Sequence, residues 1–443
     1  MHEDLIKIPE KVAYILDTLK RHGFEAYAVG GCVRDMFLGR TPNDWDITTS
    51  ARPEEVKKLF RRTVDTGIAH GTVTVMMGTD GYEVTTYRLD GKYSDGRHPD
   101  EVTFTPNLAE DLMRRDFTIN AMACNLEDGL VDLYGGLRDL RDGIIRCVGD
   151  PDARFGEDAL RVMRAVRFAA QLGFKIDGRT RDGVRTHSEM LRKISAERIR
   201  VELMKLITSP HPDRVRDLYE LGITAVILPE FDICMKTDQN TRHHMYTVGE
   251  HIIASMREIL PDPVLRLTML LHDIGKPNVR KTDRNGVDHF YGHASVGARM
   301  ADEVLRRLKF DNATRKAVVN LVRWHDLRPE PVESEVRRAA SLIGTEQFED
   351  YLRVQKADNL AKSMYMREQK LRRVSDVGEM YRMIRGRGDC LTVGELAVNG
   401  NDLLGLGIRG PKVGEMLGAA LKEVLEDPER NTKEYLTEFL KKM

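Results

Sequence analysis

The chain has 443 residues, of which 41% are hydrophobic and 31% charged, and its formal net charge is −1. This length exceeds what one hydrophobic core usually supports, so two to four domains are expected. The near-zero net charge excludes a uniformly basic nucleic-acid binder, and no apolar run approaches membrane-spanning length. We therefore expect a globular protein without a membrane partner.

The cysteines and the first residues bear on the compartment. Five scattered cysteines without a CxxC spacing argue against a disulfide framework and against a zinc ribbon. The chain starts MHEDLIKIPE, with acidic residues early, whereas a secretory signal needs a basic start and an uninterrupted apolar core. We expect a cytoplasmic protein, and the sequence leaves its oligomeric state open.

In chain order, the elements change character near residue 135. Before that point, period-two apolar patterns predict the strands AYAVGG, DWDIT, GTVTVMM, YEVTTYRL, EVTFTP and GLVDLY. Beyond it, helical spacing predicts helices in EDALRVMRAVRFAAQL, SAERIRVELMKLI, VLRLTMLLHDI, ATRKAVVNLVRWH, FEDYLRVQKADNLAKSMYM and GPKVGEMLGAALKEVL. We predict an α+β fold, with a mixed β-sheet head at 1–140 followed by an all-helical neck at 141–210, a body at 211–380 and a tail at 381–443.

The first chemically informative stretch is YAVGGCVRDMFLGRTPNDWDITTS, residues 27–50. If Asp44 and Asp46 lie on one strand, their side chains share a side while Trp45 packs behind them. Two close carboxylates repel each other unless a cation lies between them, and oxygen ligands of this kind suit Mg²⁺ carrying nucleotide phosphates. Glu83 in GYEVTTYR offers a third carboxylate on another strand.

A bare DxD is more often part of the surface than a metal site, but its neighbours strengthen the interpretation. The Gly30-Gly31 turn lets backbone N–H groups close around a phosphate, and Arg34 stands nearby to neutralise charge. Residues 159–205 carry twelve Lys and Arg against five Asp and Glu, a balance of 12 − 5 = +7. This basic stretch is either a solvated helical face or a surface for a phosphate backbone.

Four motifs in order carry a family resemblance: GGCVRDMFLG, DWDIT, RRDFTINAMA at 114–123 and EDALRVMRAVRF at 157–168. They resemble the bacterial class II tRNA nucleotidyltransferases and their poly(A) polymerase relatives. The resemblance implies a nucleotidyltransferase head with helical neck, body and tail, Asp44 and Asp46 as Mg²⁺ ligands, and Glu83 as the third catalytic carboxylate. It further implies that Gly31 and Arg34 contact the triphosphate, that Arg115 contacts the nucleotide and that Asp116 senses the ribose 2′-hydroxyl.

The neck motif suggests how a base could be selected without an RNA template. On one predicted helix, Asp158 and Arg161 are three residues apart and share a face. A carboxylate only accepts hydrogen bonds and a guanidinium only donates them, so the pair suits cytosine and adenine and leaves uracil and guanine unsatisfied. The resemblance gives Asp158 and Arg161 the same role and adds Arg164 and Arg167 as nucleotide contacts. Intrahelical Asp–Arg pairs without a ligand are the alternative.

Two further segments of the head have less specific meanings. The polar stretch RLDGKYSDGRHPDEVTF, flanked by predicted strands, is typical of a mobile loop, and in the family such a loop accompanies the ability to finish with A. An ordinary hairpin loop is the alternative. In DLYGGLRDL, Asp132 and Asp139 are expected to have no chemistry beyond turn and hinge capping.

The helical body contains a second candidate site. His244, the His272-Asp273 pair and Asp358 resemble the metal-binding residues of HD-domain phosphohydrolases, a mixed nitrogen and oxygen set suited to Mn, Ni, Fe or Mg. His293 and His325 would extend the site to a second metal. An inherited scaffold that supports tRNA is the alternative. In the tail, GIRGP before a helix resembles a helix-hairpin-helix phosphate contact, with a plain capped turn as the alternative.

The sequence thus leads to one principal hypothesis and two rivals. The resemblance implies a magnesium-dependent nucleotidyltransferase that binds tRNA, builds the 3′-terminal CCA from CTP and ATP, and releases pyrophosphate. One rival is a poly(A) polymerase with the same head. The other is a metal-dependent HD phosphohydrolase whose head only binds RNA.

Overall fold

The computed structural model describes residues 6–90, 102–243 and 245–443. The chain forms two compact units, Met1–Pro229 and Glu230–Met443, which we call unit 1 and unit 2. The finer division at residues 140, 210 and 380 stays a prediction. The predicted fold class is confirmed: a mixed sheet lies in the first part of the chain and helices dominate the rest.

The first part of unit 1 is rich in β-strands, as predicted. The strands of unit 1 are β1 (Ala26–Val29), β2 (Asp46–Thr49), β3 (Thr63–Gly67), β4 (Thr72–Met77), β5 (Asp80–Thr86), β6 (Arg88–Asp90), β7 (Val102–Phe104), β8 (Ala123–Asn125), β9 (Gly129–Val131), β10 (Ile144–Ile145) and β11 (Lys175–Ile176). Strands β3, β8, β10 and β11 were not predicted. Three residues of β3 are exposed, so it lacks the apolar alternation that predicts a strand.

The central sheet has the strand order β3-β4-β5-β2-β1-β8-β9 within the described residues. Strands β2 and β5 run parallel, whereas β1 pairs with β2 and β8 in antiparallel fashion. A parallel pair needs a crossover connection, which here includes a helix and two further strands. This crossover brings the start of β2 beside the middle of β5, where the candidate carboxylates lie.

The helices of unit 1 are α1 (Glu10–Arg21), α2 (Gly31–Phe37), α3 (Pro53–Leu59), α4 (Leu108–Met113), α5 (Gly136–Asp142), α6 (Pro151–Glu157), α7 (Leu160–Leu172), α8 (Gly178–His187), α9 (Ala196–Ile207), α10 (Val215–Glu220) and α11 (Thr224–Ile227). Helix α7, which carries three of the predicted nucleotide-binding arginines, packs against α9. It buries apolar residues such as Val162, Met163 and Val166, and α9 buries Leu203 and Leu206. Burial of these faces fixes the side of α7 that faces the rest of the unit.

One predicted helix is interrupted. The pattern predicts a single helix over 157–172, but α6 ends at Glu157 and α7 begins at Leu160. Asp158 between them has an extended backbone, with φ −135° and ψ 104°, and its Oδ1 accepts the N–H of Leu160 at 2.9 Å. Aspartate favours such positions because its side chain satisfies a free N–H at the start of a helix. Asp158 and Arg161 therefore do not share a face of one continuous helix.

Unit 2 is helical, with a short two-stranded sheet of β12 (Lys281–Thr282) and β13 (Asp288–His289). Its helices are α12 (Pro229–Met235, whose first residue ends unit 1), α13 (Val248–Arg257), α14 (Pro263–Leu271), α15 (Lys276–Val279), α16 (His293–Arg307), α17 (Asn312–Trp324), α18 (Glu333–Ile343), α19 (Phe348–Leu360), α20 (Arg367–Arg387), α21 (Gly400–Gly405), α22 (Pro411–Glu426) and α23 (Lys433–Lys441). Helix α14 packs against α13, α17 and α19, so these four elements surround the second candidate site.

Candidate functional site

Three acidic side chains lie near the start of β2, beside the middle of β5. Asp46 begins β2, and Asp44 lies in the bend just before the strand rather than within it. Both are exposed, whereas Trp45 between them is buried, as the alternation predicted. Glu83 is the direct partner of Asp46 across the parallel β2–β5 pair, and Asp44 precedes Asp46 by two residues.

Their electrostatics favour a cation. Partial loss of hydration raises the pKa of Asp46, Arg115 opposes that rise, and Asp44 adds to it. The pKa of Glu83 is raised by the same loss of hydration and by the charges of Asp46 and Asp44. A divalent ion relieves this repulsion, and oxygen ligands suit Mg²⁺. The donor chemistry therefore fits, although in this arrangement the three side chains do not bring their oxygens within 4.8 Å of one another.

The Gly-Gly turn approaches an arginine closely. Gly30 has φ 82°, a conformation that side chains rarely adopt, and a Cβ atom there would lie 3.0 Å from Nη1 of Arg115. Gly31 starts α2, and Arg34 on that helix donates to Oδ1 of Asn120 at 2.7 Å. The absence of a side chain at Gly30 thus leaves room for the guanidinium of Arg115.

A cavity of about 480 Å³ connects this turn to the helices that follow. Its walls include Asp46 and all eight residues of the predicted nucleotide-binding set: Gly31, Arg34, Arg115, Asp116, Asp158, Arg161, Arg164 and Arg167. Asp44 and Glu83 are not among its lining residues. Because the walls carry six arginines with Arg198 included, the cavity suits a polyanionic ligand of nucleotide size.

Asp116 forms hydrogen bonds with Arg164 of helix α7 and with Asn120. Arg164 Nε donates to Asp116 Oδ2 at 2.7 Å, and Asn120 Nδ2 donates to Asp116 Oδ1 at 3.1 Å. Burial opposes ionisation of Asp116, but Arg164, Asn120 and Arg161 outweigh it and lower its pKa to about 2. Asp116 is therefore a carboxylate at neutral pH, able to accept a hydroxyl hydrogen bond.

Arg161 is fixed by several acceptors. Its Nη1 donates to the backbone oxygen of Arg154 at 3.0 Å and to Glu157, and its Nη2 donates to the backbone oxygen of Arg114 at 2.9 Å. A guanidinium has five N–H groups, so these three bonds leave donors for a ligand. Arg161 is thus held rigidly at the wall of the cavity with part of its hydrogen-bonding capacity unused.

Arg167 has a different environment. Its Nε donates to Glu202 at 2.6 Å, its Nη1 donates to Gln171 at 2.7 Å, and its guanidinium lies 3.6 Å from the centre of the Phe168 ring. The pair with Glu202 is buried on both sides. This arrangement resembles a structural ion pair more than a free cation, and the predicted nucleotide contact of Arg167 stays a prediction.

The sequence did not predict four of the lining residues: Asn120, Leu160, Phe168 and Arg198. Asn120 lies within the RRDFTINAMA motif, four residues after Asp116, and Phe168 ends the EDALRVMRAVRF motif. Arg198 lies four residues before Glu202 on α9. That spacing places both side chains on the face of α9 towards α7, and it was the available signal.

The second candidate site lies inside unit 2. His251, His272, Asp273 and Asp358 are buried together, with His251 Nε2 3.0 Å from Asp358 Oδ1 and His272 Nε2 3.3 Å from Asp273 Oδ2. One ligand atom each from His251, His272 and Asp273 falls within 4.8 Å of the others. This mixed set of imidazole and carboxylate groups fits a transition metal or Mg²⁺.

A second set shares Asp273. His293 Nε2 and His325 Nε2 lie 3.4 and 3.5 Å from Asp273 Oδ1, and one ligand atom each from these three residues falls within 4.8 Å of the others. The Nδ1 atoms of both rings lie 2.8 and 2.7 Å from backbone oxygens, which only accept, so Nδ1 carries the hydrogen. A neutral ring of this tautomer presents its Nε2 lone pair to a cation, and Asp273 would bridge two ions.

Lysines already pair with the acidic groups of this cluster. Lys276 Nζ lies 2.7 Å from Asp273 Oδ2, and Lys362 pairs with Asp358. Burial opposes ionisation of Asp273, but His272 and Lys276 hold its pKa well below the usual range. Burial likewise opposes ionisation of Asp358, and Lys362 and His251 hold its pKa well below the usual range. Both carboxylates are therefore charged and compensated.

The predicted ligand His244 lies outside the described residues, and His251 was missed. On α13, His251 follows Val248 by three residues and precedes Ser255 by four, and all three are buried. A histidine at helical spacing among buried residues was the signal for His251.

Other predicted features have simple places in the fold. Asp132 accepts the N–H groups of Gly136 and Leu137 at 2.7 and 2.9 Å, so it caps α5 as expected. Strands β6 and β7 pair at the base of the predicted mobile loop, whose residues 91–101 lie outside the described residues. Gly410 precedes α22 with φ 64°, and the phosphate contact there stays a prediction.

Comparison with known proteins covers both units. The model of the poly(A) polymerase head domain matches residues 26–146, that of a probable RNA- and SrmB-binding site of polymerase A matches 173–235, and that of the HD domain matches 241–363. A crystal structure of the Bacillus stearothermophilus CCA-adding enzyme in complex with CTP is 30% identical, with a TM-score of 0.71, over 99% of this chain and 98% of that one. The chain belongs to the CCA-adding enzyme family. The family resemblance read from the motifs is thereby confirmed.

Curated members of the CCA-adding enzyme family are more similar over a shorter region. The enzyme of Lactobacillus helveticus (strain DPC 4571) is 55% identical over 208 residues, which are 46% of this chain and 52% of that protein. The enzyme of Levilactobacillus brevis is 54% identical over 210 residues, 47% of this chain and 53% of that protein. The chain thus spans about half the length of the curated relatives it matches.

Membership of the CCA-adding enzyme family implies dependence on a divalent metal, in agreement with the carboxylates at Asp44, Asp46 and Glu83. Among the residues that the structure describes, none of the helices combines the length and the apolar character needed to span a bilayer.

Proposed function

We propose that this chain adds CCA to the 3′ end of tRNA from CTP and ATP, without a template, and releases pyrophosphate. The observation that carries the proposal is the cavity itself. Asp46, Asp158 and Arg161 all line it, so one nucleotide can reach Asp46 with its phosphates and the neck with its base. Relatives named CCA-adding enzymes, one of them bound to CTP, support this choice.

The cavity offers separate contacts for each part of a nucleoside triphosphate. Arg34, Arg115 and Arg164 supply positive charge for the phosphates, and the carboxylate of Asp116 accepts a hydrogen bond from the ribose 2′-hydroxyl. Asp158 accepts from the amino group of cytosine or adenine, while Arg161 donates to the adjacent ring nitrogen. Uracil and guanine present the opposite pattern and leave both side chains unsatisfied.

The chemical step is an in-line displacement. The 3′-hydroxyl oxygen of the RNA end forms a bond to the α-phosphorus and loses its proton, and the bond to the pyrophosphate oxygen breaks. Mg²⁺ held by Asp44, Asp46 and Glu83 would polarise the hydroxyl and offset charge on the leaving group. No protein nucleophile is needed, since the residues bind and orient the two substrates.

Arg161 gives the sharpest test of base selection. We expect Arg161→Ala to reduce the preference for CTP over UTP by roughly ten- to a hundredfold, the worth of one bidentate contact. The measurement uses tRNA transcripts that end before CCA, with each triphosphate offered separately and together, followed by sequencing of the ends. Arg138→Ala is the control, because Arg138 is exposed and pairs only weakly with Asp142.

The same assay separates the rival functions. Long A tails on arbitrary RNA would identify a poly(A) polymerase instead. Equal use of UTP and CTP by the parent chain would contradict base selection by Asp158 and Arg161. If Arg161→Ala kept the parental preference, selection would lie elsewhere in the cavity.

We propose a second, metal-dependent phosphohydrolase function for unit 2. It is favoured by the shared Asp273, which joins two candidate metal groups built from His251, His272, His293 and His325. Bound cations, whether Mn, Ni, Fe or Mg, would supply a Lewis acid for a phosphoester. Asp273→Asn is expected to remove hydrolysis of a phosphoester such as p-nitrophenyl phosphate and to preserve nucleotide addition. Retention of hydrolysis by that variant would refute the assignment.

We place the protein in the cytoplasm as part of the same proposal. All five cysteines are free and buried, which agrees with a reducing compartment.

A further inference from the structure

Asp111 is a buried carboxylate of α4 that the proposed nucleotide contacts leave unused. Its Oδ2 accepts the hydroxyl of Thr48 at 3.1 Å and Nη2 of Arg115 at 3.4 Å. Its Oδ1 accepts Nε and Nη2 of Arg114 at 3.0 and 2.7 Å. Burial opposes ionisation of Asp111, but Arg114, Arg115 and Thr48 outweigh it and lower its pKa. Asp111 is therefore a charged and compensated group inside unit 1.

Arg115 has a single anchor for its guanidinium. Within residues 6–90, 102–243 and 245–443, Asp111 is the one acceptor that the side chain of Arg115 reaches with a hydrogen bond. Arg115 lines the cavity, so its remaining N–H groups can bind a ligand there. A long, flexible side chain loses conformational entropy when it is fixed in one place, so its position requires an anchor. Removal of Asp111 would therefore release Arg115 from the place it occupies.

A second carboxylate competes for Arg115. Partial loss of hydration raises the pKa of Asp46, and the charge of Arg115 counters that rise, so the two groups attract each other. Arg115 nevertheless forms its ion pair with Asp111 and not with Asp46. A direct pair with Asp46 would occupy an arginine needed for phosphates together with a carboxylate needed for a cation. The pair with Asp111 leaves both groups available.

We propose that Asp111 is a positioning residue for the incoming triphosphate, which holds the guanidinium of Arg115 at the cavity and away from Asp46. This inference rests on the proposed function, because it takes the phosphates to be the ligand of Arg115. The oxygen of Asp111 that binds Arg115 also accepts the hydroxyl of Thr48, which lies on β2 two residues after Asp46. One carboxylate thus fixes the arginine relative to the strand that begins with Asp46.

The test compares Asp111→Asn, which keeps the shape of the side chain and removes its charge, with the parent chain. The kcat and KM values are measured for CTP and for UTP on tRNA transcripts that end before CCA. Calorimetric titration with CTP in EDTA measures binding without a metal. We expect both the KM and the Kd for CTP to rise about tenfold, the worth of one charged hydrogen bond. The CTP-to-UTP preference should stay parental, because Arg115 contacts phosphates and not the base.

Arg114→Gln separates positioning from loss of a buried ion pair. It removes the pair with Oδ1 of Asp111, as Asp111→Asn does, but it leaves the contact between Asp111 and Arg115 in place. We expect both variants to lower the unfolding temperature of unit 1 and only Asp111→Asn to raise the KM for CTP. An unfolded fraction lowers the apparent kcat without changing KM. Equal rises of KM in the two variants would overturn the inference.

A variant of Thr48 decides the question if Asp111→Asn does not fold. Thr48→Val has nearly the same volume and removes the hydroxyl that fixes the direction of Asp111 Oδ2. We expect its KM for CTP to rise about threefold, the worth of one neutral hydrogen bond. In that case an unchanged KM would overturn the inference.

A double-mutant cycle tests whether Asp111 acts through Arg115. If it does, Asp111→Asn combined with Arg115→Gln binds CTP no more weakly than Arg115→Gln alone. Additive losses would overturn the inference, since Asp111 would then act independently of Arg115. A parent chain that adds no C to the transcript would refute the proposed function. A parent that adds C, together with an unaffected Asp111→Asn, would refute only the role of Asp111.

Discussion

The two candidate metal sites of this chain use similar ligands in opposite electrostatic settings. In unit 1, Asp44, Asp46 and Glu83 are exposed and repel one another, and the pKa values of Asp46 and Glu83 are raised. In unit 2, Asp273 and Asp358 are buried and their pKa values lie well below the usual range. The difference comes from partners, since lysines and histidines compensate the buried pair.

This contrast indicates two ways of preparing a cation site. The carboxylates of unit 1 gain stability when a cation arrives, and their exposure leaves room for the phosphates that come with it. The cluster of unit 2 is already neutralised by Lys276 and Lys362, so an incoming cation must displace or tolerate these ammonium groups. We expect cation binding at the first site to depend strongly on its acidic residues. At the second site, we expect the lysines to weaken cation binding.

The largest expected effect breaks the first site. Asp46→Asn removes a carboxylate that lies at the start of β2 and lines the cavity. We expect nucleotide addition to fall about a thousandfold, because metal stabilisation of the transition state is worth several kcal/mol. Primer extension with CTP on tRNA measures the loss. Phosphoester hydrolysis by unit 2 should be unchanged.

Asp80→Asn is the control for this prediction. Asp80 is an exposed aspartate at the start of β5 that pairs with Lys11, so its loss should leave nucleotide addition near the parental rate. More than a tenth of the parental rate in Asp46→Asn would show that the exposed set is not the metal site.

The next effect concerns Asp116, a compensated carboxylate of unit 1 like those of unit 2. Its pKa is lowered from 3.8 to about 2, mainly by Arg164 and Asn120 against the cost of burial. This shift corresponds to about 2 kcal/mol of stability at neutral pH. Asp116→Asn should lower the free energy of unfolding by that amount above about pH 4. Because the native pKa is depressed, the difference should vanish as the pH falls towards 2.

Urea unfolding of the full chain at pH 7, 5 and 3 measures this prediction through the transition of unit 1. Asp182→Asn serves as the control, since Asp182 is an exposed aspartate in a surface pair with Arg185. A loss in Asp116→Asn that stayed constant down to pH 3 would show that the Arg164 pair does not supply the stability.

The exposed site was predictable because it depends on strand alternation. Asp46 and Glu83 each lie in a segment that alternates apolar and polar residues. In the structure they are direct neighbours across two parallel strands. Sequence alone placed Asp44 on the strand as well, but it lies in the preceding bend. The alternation of buried and exposed residues extends to Asp44, two residues before β2 begins.

The neck was harder to predict because distant residues decide its shape. The pattern over 157–172 is compatible with a continuous helix, yet the chain turns at Asp158, whose carboxylate is bound by Arg198 from α9. Helical periodicity contains no information about that contact. Helical spacing marks His251 as a buried residue of α13, but its pairing with Asp358 follows only from the packing of α13 against α19.

The smallest expected effect sharpens the comparison at the second site. Lys362 is buried against Asp358. Its ammonium group repels a cation and pairs with a carboxylate that would otherwise be free to bind one. Lys362→Met keeps the side-chain volume roughly constant and removes the charge, and we expect Mn²⁺ to bind about tenfold more tightly, or about 1.4 kcal/mol. Isothermal titration with Mn²⁺ measures the change.

Lys356→Met is the control on α19, because Lys356 is exposed. Equal or weaker affinity in Lys362→Met would show that the lysine supports the metal site rather than competing with it, and the contrast between the two units would then rest on burial alone.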